Sequence, residues 1–287
     1  MIVVTGATGN VGSALVRELA EAGEKVVAVS RGEKPIDQAR GGGAAHGAEH
    51  RRADIGDLDS LAEAVTGADS LFLLITGAQL VEGPAPAEVL ETVAAAGVRR
   101  VVFLSSQGAV TRPDSDGYAR TLAFEQALAA SELEWTVLRP GGFFTNTFAW
   151  IEPVRAGRMI PAPFGDVGLP QVDPGDIAAV AAAALTRDGH HGQSYTVTGP
   201  ELVTPRDQAE TLAGALGEPL RFVELSRAEA RVNMLRFMPE SVADHTLSIL
   251  GEPTPEEQLV SGDVERVLGR PATGYAQWAA RVAPAFR

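Results

Sequence analysis

The chain reads as an α/β protein, a doubly wound parallel sheet followed by a smaller mixed C-terminal lobe. Three observations predict this. Short, wholly apolar strands alternate with helix-length amphipathic segments as far as Pro140, joined mostly by short links. Beyond Pro140 the alternation stops, and Pro, Gly and aromatic residues crowd 140 to 175. With 287 residues, 45% hydrophobic and 21% charged, the chain can bury one large core, or a core plus a lobe.

Taken in order, Ile2-Val3-Val4 is a short buried strand. Gly6, Gly9 and Gly12 follow as a G-x-x-G-x-x-G turn, and helical spacing begins at Ser13. Lys25 to Val29 is a second strand, and Gly32 to Gly47 reads as loop. A third strand falls within Glu49 to Ile55, and a helix covers Ser60 to Val65. Ser70 to Ile75 is a fourth strand, apolar almost throughout, as a strand covered on both faces should be. A helix over Ala87 to Ala96, a strand at Arg100 to Ser105, a helix over Leu122 to Ala130 and a strand at Trp135 to Leu138 complete the run. The expected division is a core over 1–140 and a substrate lobe over 141–287. In it, helix 175–185 packs back on the core and a strand occupies Ser194 to Thr198.

The strand–glycine turn–helix order is the dinucleotide signature. Gly6 permits the tight turn, Gly9 lets the backbone approach a pyrophosphate, and Gly12 lets the helix pack closely. The N–H groups and dipole at the helix start then face the phosphates. A Rossmann-type nucleotide-binding core follows, its ligand beyond the carboxyl ends of the strands, in the cleft between lobes. The tip of the second strand, Ser30-Arg31, carries no acid. A carboxylate there would accept from ribose hydroxyls, whereas a guanidinium and a serine suit a 2′-phosphate. The expectation is NADP(H) over NAD(H), with Lys34 adding positive field; a solvated Arg31 is the alternative. Asp54 either flanks the adenine or caps a helix, and Ile75-Thr76-Gly77 puts small residues near the nicotinamide ribose.

Longer stretches resemble the NmrA-like branch of the atypical short-chain dehydrogenases, which includes quinone oxidoreductase type 2 and the isoflavone reductase-like enzymes. Thr5 to Gly12 is similar to that family's nucleotide loop, Ser30-Arg31 to its NADP-selecting corner, and Phe103 to Ser106 to its fifth strand. Phe124 to Leu128 resembles its glutamate helix, and Trp135 to Asn146 its Thr-x-Leu-Arg-Pro strand and Phe-x-x-Asn loop. Val172 to Ala178 resembles a later signature beside the substrate pocket. The resemblance covers residues 1 to 225. It implies an oxidoreductase transferring hydride or, in some members, a dinucleotide sensor without turnover. It further implies that Thr8, Asn10, Val11, Ser105, Pro140, Gly141 and Phe143 join the cofactor residues.

The proton donor is the weak point. Orthodox members of the superfamily set a lysine four residues after a tyrosine, lowering its pKa from ~10 toward neutrality. Here Tyr118 is followed at that spacing by Leu122, and the chain's two lysines, Lys25 and Lys34, lie far away. Where quinone-reductase relatives often place a histidine, this chain has Thr121. Tyr118, Ser105 and Ser106 are the candidate catalytic residues. They suit a conjugated acceptor such as a quinone, enone or polyketide-like aromatic better than a plain ketone. Arg120 is either an anion or ribose anchor or a surface charge, and Glu125 and Arg139 are either reactive or structural. Phe144, Asn146, Trp150 and Met159 are candidate substrate residues, the alternative for the aromatics being a minor core. Arg155 to Ile160 reads as a lid, and Met234, Phe237 and Met238 as a closing edge. A non-redox isomerase or cyclase using the dinucleotide structurally is the remaining rival.

Zero cysteines remove disulfides, thiolate catalysis and thiolate metal sites, and His46 and His50 read as solvated loop, so no metal is expected. A net charge of −13 opposes general nucleic-acid binding. No apolar run reaches the ~18 residues of a membrane span, and no leader precedes the first strand. The expectation is a cytoplasmic monomer or homodimer acting on a small hydrophobic substrate.

Overall fold

The computed structural model describes residues 1–32 and 48–287, so Lys34 and His46 lie outside the described residues. In chain order the elements are β1 (Ile2–Val4), α1 (Asn10–Glu21), β2 (Val26–Ser30), β3 (Glu49–Arg52), α2 (Leu58–Val65), β4 (Ser70–Leu73) and α3 (Pro86–Ala95). Next come β5 (Arg100–Leu104), α4 (Gly108–Thr111), α5 (Ala119–Ala129), β6 (Glu134–Pro140), α6 (Ile151–Gly157), β7 (Met159–Pro163) and α7 (Pro174–Thr186). The chain closes with β8 (Gln193–Val197), α8 (Pro205–Leu216), β9 (Arg221–Leu225), α9 (Arg227–Met234), α10 (Glu240–Gly251), α11 (Asp263–Leu268) and α12 (Tyr275–Val282). Two compact units result: residues 1–114, 118–140 and 177–196 form one, and 115–117, 141–176 and 197–287 the other.

The first unit is built on a seven-stranded sheet of order β3-β2-β1-β4-β5-β6-β8, parallel at β3–β2, β2–β1, β1–β4, β4–β5 and β5–β6. Strands β1, β2 and β4 are buried at every residue, as helices on both faces require. Val3, Val27, Leu71, Val101 and Phe103 pack with Leu61, Val93 and Phe124 in its core. After β1 the chain steps to one side, and β4 returns to the other side of β1, so the order reverses there. A crevice opens at such a reversal, beyond the carboxyl ends of the strands. Strand β8, expected in the C-terminal lobe, joins this sheet beside β6. Gly192 N donates to Trp135 O at 2.8 Å and Thr136 Oγ1 to His190 O at 2.8 Å, which fixes the approach to that strand.

In the second unit β7 and β9 pair in parallel from Met159↔Arg221 to Pro163↔Leu225. This corrects the lid reading of Arg155 to Ile160: the segment is the end of α6 and the start of a hydrogen-bonded strand. Helix α8 starts on a Thr204–Asp207 capping box with Pro205 in its first turn, and stops at Gly217, whose φ is +72°. Trp150, Val154, Ile160, Leu212 and Phe286 form one buried cluster, and Phe144, Val203, Tyr275 and Trp278 another. Two buried carboxylates organise the C-terminal segment. Asp173 pairs with Arg281 at 2.5 Å; Asp176 accepts from Thr273 N at 2.6 Å and pairs with Arg270 at 2.8 Å. Among the described residues, no helix is long and apolar enough to cross a membrane.

Candidate active site

The end of β1 and the start of α1 build the phosphate side of the site. Thr5 stitches β1 to β4: its N and Oγ1 both donate to Phe72 O, at 3.0 and 2.9 Å, and its Oγ1 accepts from Leu74 N at 2.9 Å. Gly6 then takes φ +63°, with Leu74 Cδ2 only 2.6 Å from where a Cβ would stand. Gly9 N closes the turn on Gly6 O at 2.9 Å. A Cβ on Gly12 would sit 2.2 Å from Gly6 O, so only glycine lets α1 begin this close to the turn. No side chain caps α1 and no acid stands in its first turn. A bare, positively polarised helix start is what a diphosphate needs.

The groove beside this turn is open to solvent, has a cavity volume of about 170 Å³ and is lined by Thr5, Gly6, Thr8, Gly9, Val29, Ser30, Arg31, Ala53, Ile55, Leu74, Thr76 and Gln79. Of the expected cofactor residues, Gly6, Thr8, Gly9, Ser30, Arg31 and Thr76 therefore share one surface. Val11 and Gly12 are buried beneath it, and Asn10 opens the helix. Gly77 follows Thr76 with φ +61°. Ile75 is 5% exposed and faces inward; its neighbour Leu74 lines the groove instead. Asp54 also needs correction. Its Oδ1 accepts from Gly56 N at 2.9 Å and from Gln79 Nε2 at 2.8 Å, and the residue that caps α2 is Asp57. Ala53 and Ile55 face the groove on either side of it. Those two, Thr5, Val29, Leu74 and Gln79 are the lining residues that sequence reasoning missed. Alternation along β2 and β3 could have pointed to Val29 and Ala53; nothing local marks Gln79. Pro140 ends β6, with its carbonyl accepting from Gln107 N at 2.9 Å. Gly141 and Phe143 belong to the second unit.

The candidate catalytic residues divide by hydrogen-bond bookkeeping. Ser105 donates its single hydroxyl proton to Glu125 Oε1. That carboxylate, 7% exposed, is held by Arg139 through Nε at 3.2 Å and through Nη2 at 2.6 Å. Ser105 thus presents lone pairs only, which corrects its reading as a donor to a substrate carbonyl, and Glu125 and Arg139 form a structural ion pair. Ser106 differs: its Oγ accepts from Gly108 N at 3.2 Å, so its proton is not spent on Glu125. Tyr118 immediately precedes α5, and its ring packs closely against Gly108. A Cβ there would be 2.2, 2.3 and 2.4 Å from Cε2, Cζ and Oη. The glycine therefore makes the slot that brings the phenol oxygen and the Ser106 hydroxyl to the same turn of backbone. Leu122, one helical turn on, offers no cation, although its N–H donates to Tyr118 O at 2.9 Å.

Other expectations change. Arg120 is neither an anion anchor nor a free surface charge. It donates to Gln79 O at 2.8 Å and Pro84 O at 2.6 Å, and stacks on Phe124 with 5.3 Å between guanidinium carbon and ring centroid. His50 stands on β3, with Nε2 2.8 Å from Ser30 Oγ, rather than in a loop. Phe144 has no exposed surface; Tyr275 and Trp278 enclose it at 5.1 and 5.8 Å between centroids. It is a core residue, and Trp150 at 8% exposure is nearly so, because a unit of this size has few other large side chains to fill its centre. Asn146 is exposed on the turn that follows Phe143, and Met159 Sδ accepts from Arg221 Nη2 at 2.7 Å. Phe237 is 71% exposed.

Comparison with known proteins agrees with this geometry. Residues 6–188 match the model of a family described as NAD(P)H-binding. The chain is 38% identical to a Streptomyces griseus (4-alkanoyl-5-oxo-2,5-dihydrofuran-3-yl)methyl phosphate reductase, covering 100% of this chain and 99% of that one. It is 33% identical to an NAD(P)H azoreductase of Xenophilus azovorans, with 100% and 99% covered. The Escherichia coli NADPH-dependent quinone oxidoreductase, solved with NADPH, superposes with a TM-score of 0.79 at 26% identity, over 98% of this chain and 99% of that one. The glycine turn, the uncapped helix start and these full-length relationships lead to one conclusion: the chain belongs to the NAD(P)H-binding family and is an NAD(P)H-dependent oxidoreductase.

Proposed function

We propose that this enzyme takes NADPH in preference to NADH and reduces a small conjugated acceptor, with Ser106 and Tyr118 as hydrogen-bond donors to the substrate oxygen. The observation that carries the reading is the Gly108 slot, which sets a phenol beside an uncommitted serine hydroxyl with leucine where a lysine would stand. The bound nicotinamide supplies a hydride. The turn from Gly6 to Gly12 holds the diphosphate, and Arg31 faces the adenosine end.

Without a cation beside Tyr118, strong general-acid help, worth ~10²- to 10⁴-fold, is missing. A plain ketone needs that help because reduction leaves a localised alkoxide. A conjugated acceptor does not, because its negative charge spreads onto a carbonyl oxygen. Two neutral donors at Ser106 Oγ and Tyr118 Oη can stabilise that oxygen while solvent completes protonation. Ser105, tied to Glu125, holds the end of β5 in place and leaves the donor role to Ser106.

The Streptomyces griseus relative names the first acceptor to try. In that compound a lactone carbonyl and an alkanoyl carbonyl both sit on one carbon of the ring double bond, so the other alkene carbon is activated by both. The test follows NADPH oxidation by the purified enzyme against that butenolide phosphate, quinones, an azo dye and a saturated ketone. Turnover of a conjugated acceptor with the ketone inert is the expected result. Equal rates with the ketone would overturn it.

A further inference from the structure

We propose that Arg120 is a positioning residue for the dinucleotide: one guanidinium on α5 holds the wall of the groove formed by Thr76 and Gln79. The inference needs only the family's NAD(P)H binding and is independent of the choice between NADPH and NADH.

Between the end of β4 at Leu73 and the start of α3 at Pro86, the chain runs outside the sheet. Thr76 and Gln79, within this segment, line the dinucleotide groove, whereas Arg120 is not among the lining residues. Ile75 is buried and Leu80 packs on the core, but Thr76, Gly77, Ala78, Val81, Glu82 and Gly83 are exposed. A wall with so few buried side chains opens easily unless something outside it holds it.

Arg120 supplies that hold. Its Nε donates to Gln79 O at 2.8 Å and its Nη2 to Pro84 O at 2.6 Å, so a single planar group spans the segment. Gly83 makes room for it, because a Cβ there would stand 3.0 Å from Nη2. The guanidinium lies over the Phe124 ring, and that ring stacks on Phe103 of β5 with 5.4 Å between centroids. Gln79 is tied on its other side as well. Its Nε2 donates to Asp54 Oδ1 at 2.8 Å, and the same oxygen accepts from Gly56 N at 2.9 Å. A chain of polar contacts therefore runs from α5 through Gln79 to the loop after β3. A wall held from both sides loses less conformational freedom on binding, so the brace raises dinucleotide affinity. Lysine, a point charge without the fork, cannot repeat the two-ended grip.

The experiment measures NADPH and NADH affinity, steady-state constants and melting temperature in the parent, Arg120→Met and Arg120→Lys. Methionine keeps apolar bulk against Phe124 and removes both donors. Affinity for the two dinucleotides should fall together, by about tenfold each, because the lost order of the wall is common to both. KM for the dinucleotide should rise by the same factor. The fall in kcat at saturation should be far smaller, since Gly108 rather than Arg120 sets the Tyr118 ring. Arg120→Lys should fall between the parent and Arg120→Met, and it carries the test if Arg120→Met does not fold. A lowered melting temperature with parental affinity for both dinucleotides would overturn the proposal, leaving the brace structural only. A loss confined to one dinucleotide would overturn it too, because Arg120 would then be touching the ligand.

Discussion

Replacing Gly108 with alanine tests the active-site reading most directly. The added methyl would lie 2.2–2.4 Å from three atoms of the Tyr118 phenol. Relaxed carbon contacts need about 3.5–4.0 Å, so the ring must retreat by roughly 1.2 Å or more. Tyr118 is half-buried and can swing outward instead of straining its surroundings. Gly108 is also the first residue of α4, where alanine gains up to about 1 kcal/mol of helix propensity. The fold should therefore hold, while the phenol oxygen leaves its place beside Ser106. A misplacement of ~1 Å at a reacting centre costs about 10²-fold. Steady-state kinetics with a conjugated acceptor should show kcat falling by that order, with NADPH affinity and melting temperature near parental values. If the glycine acts through the tyrosine, Tyr118→Phe and the double variant should lose about as much as either single change. Parental kcat in Gly108→Ala, or losses that multiply in the double variant, would refute the reasoning.

Three further outcomes follow from the same geometry. Gly12→Ala places a Cβ 2.2 Å from Gly6 O and 2.7 Å from Gly6 C, both backbone, so α1 must shift. NADPH affinity measured by fluorescence should drop about 10- to 100-fold as charge-assisted bonds from its first turn are lost. Asp176→Ala removes a carboxylate that is 1% exposed and receives Thr273 N, and urea unfolding should show a loss of about 2–4 kcal/mol. Arg270→Ala, at a half-exposed partner, should cost no more than about 1 kcal/mol. Burial of Tyr275, whose hydroxyl bonds Thr147 at 3.1 Å, pushes its ionisation above the ordinary 10.0. The unfolded chain releases that proton near pH ~10 and the folded one retains it, so this stability is present below pH ~10 and lost as pH climbs further. Urea midpoints should fall more steeply above that pH for the parent than for Tyr275→Phe.

The proposed role of Arg31 bears on how binding responds to salt. If Arg31 meets a 2′-phosphate, NADPH affinity should be more sensitive to ionic strength than NADH affinity, because NADPH carries the added charge that salt screens. A parent whose preference for NADPH narrows as salt rises fits that picture.

The sequence by itself determined the features whose cause is local. Position 6 takes φ +63° with Leu74 pressed against it, which favours glycine, and the helix start at position 12 meets backbone that leaves no room for a Cβ, so the dinucleotide turn is written in the chain. Uninterrupted apolar runs at Val3, Val27 and Leu71 likewise announce strands covered on both faces. What tertiary structure decided are the partnerships between distant residues. Ser105 and Ser106 look alike in sequence, and only the arrival of Glu125 from α5, braced by Arg139 from β6, commits one proton and spares the other. Tyr118 reads as half of an incomplete pair until Gly108, ten residues earlier, is seen to hold its ring. Phe144 reads as pocket or core alike until Tyr275 and Trp278 close over it. Periodicity and backbone sterics act over a few residues and survive in the sequence; hydrogen bonds and enclosure across the sheet depend on which strands become neighbours, and that is settled only when the whole chain folds.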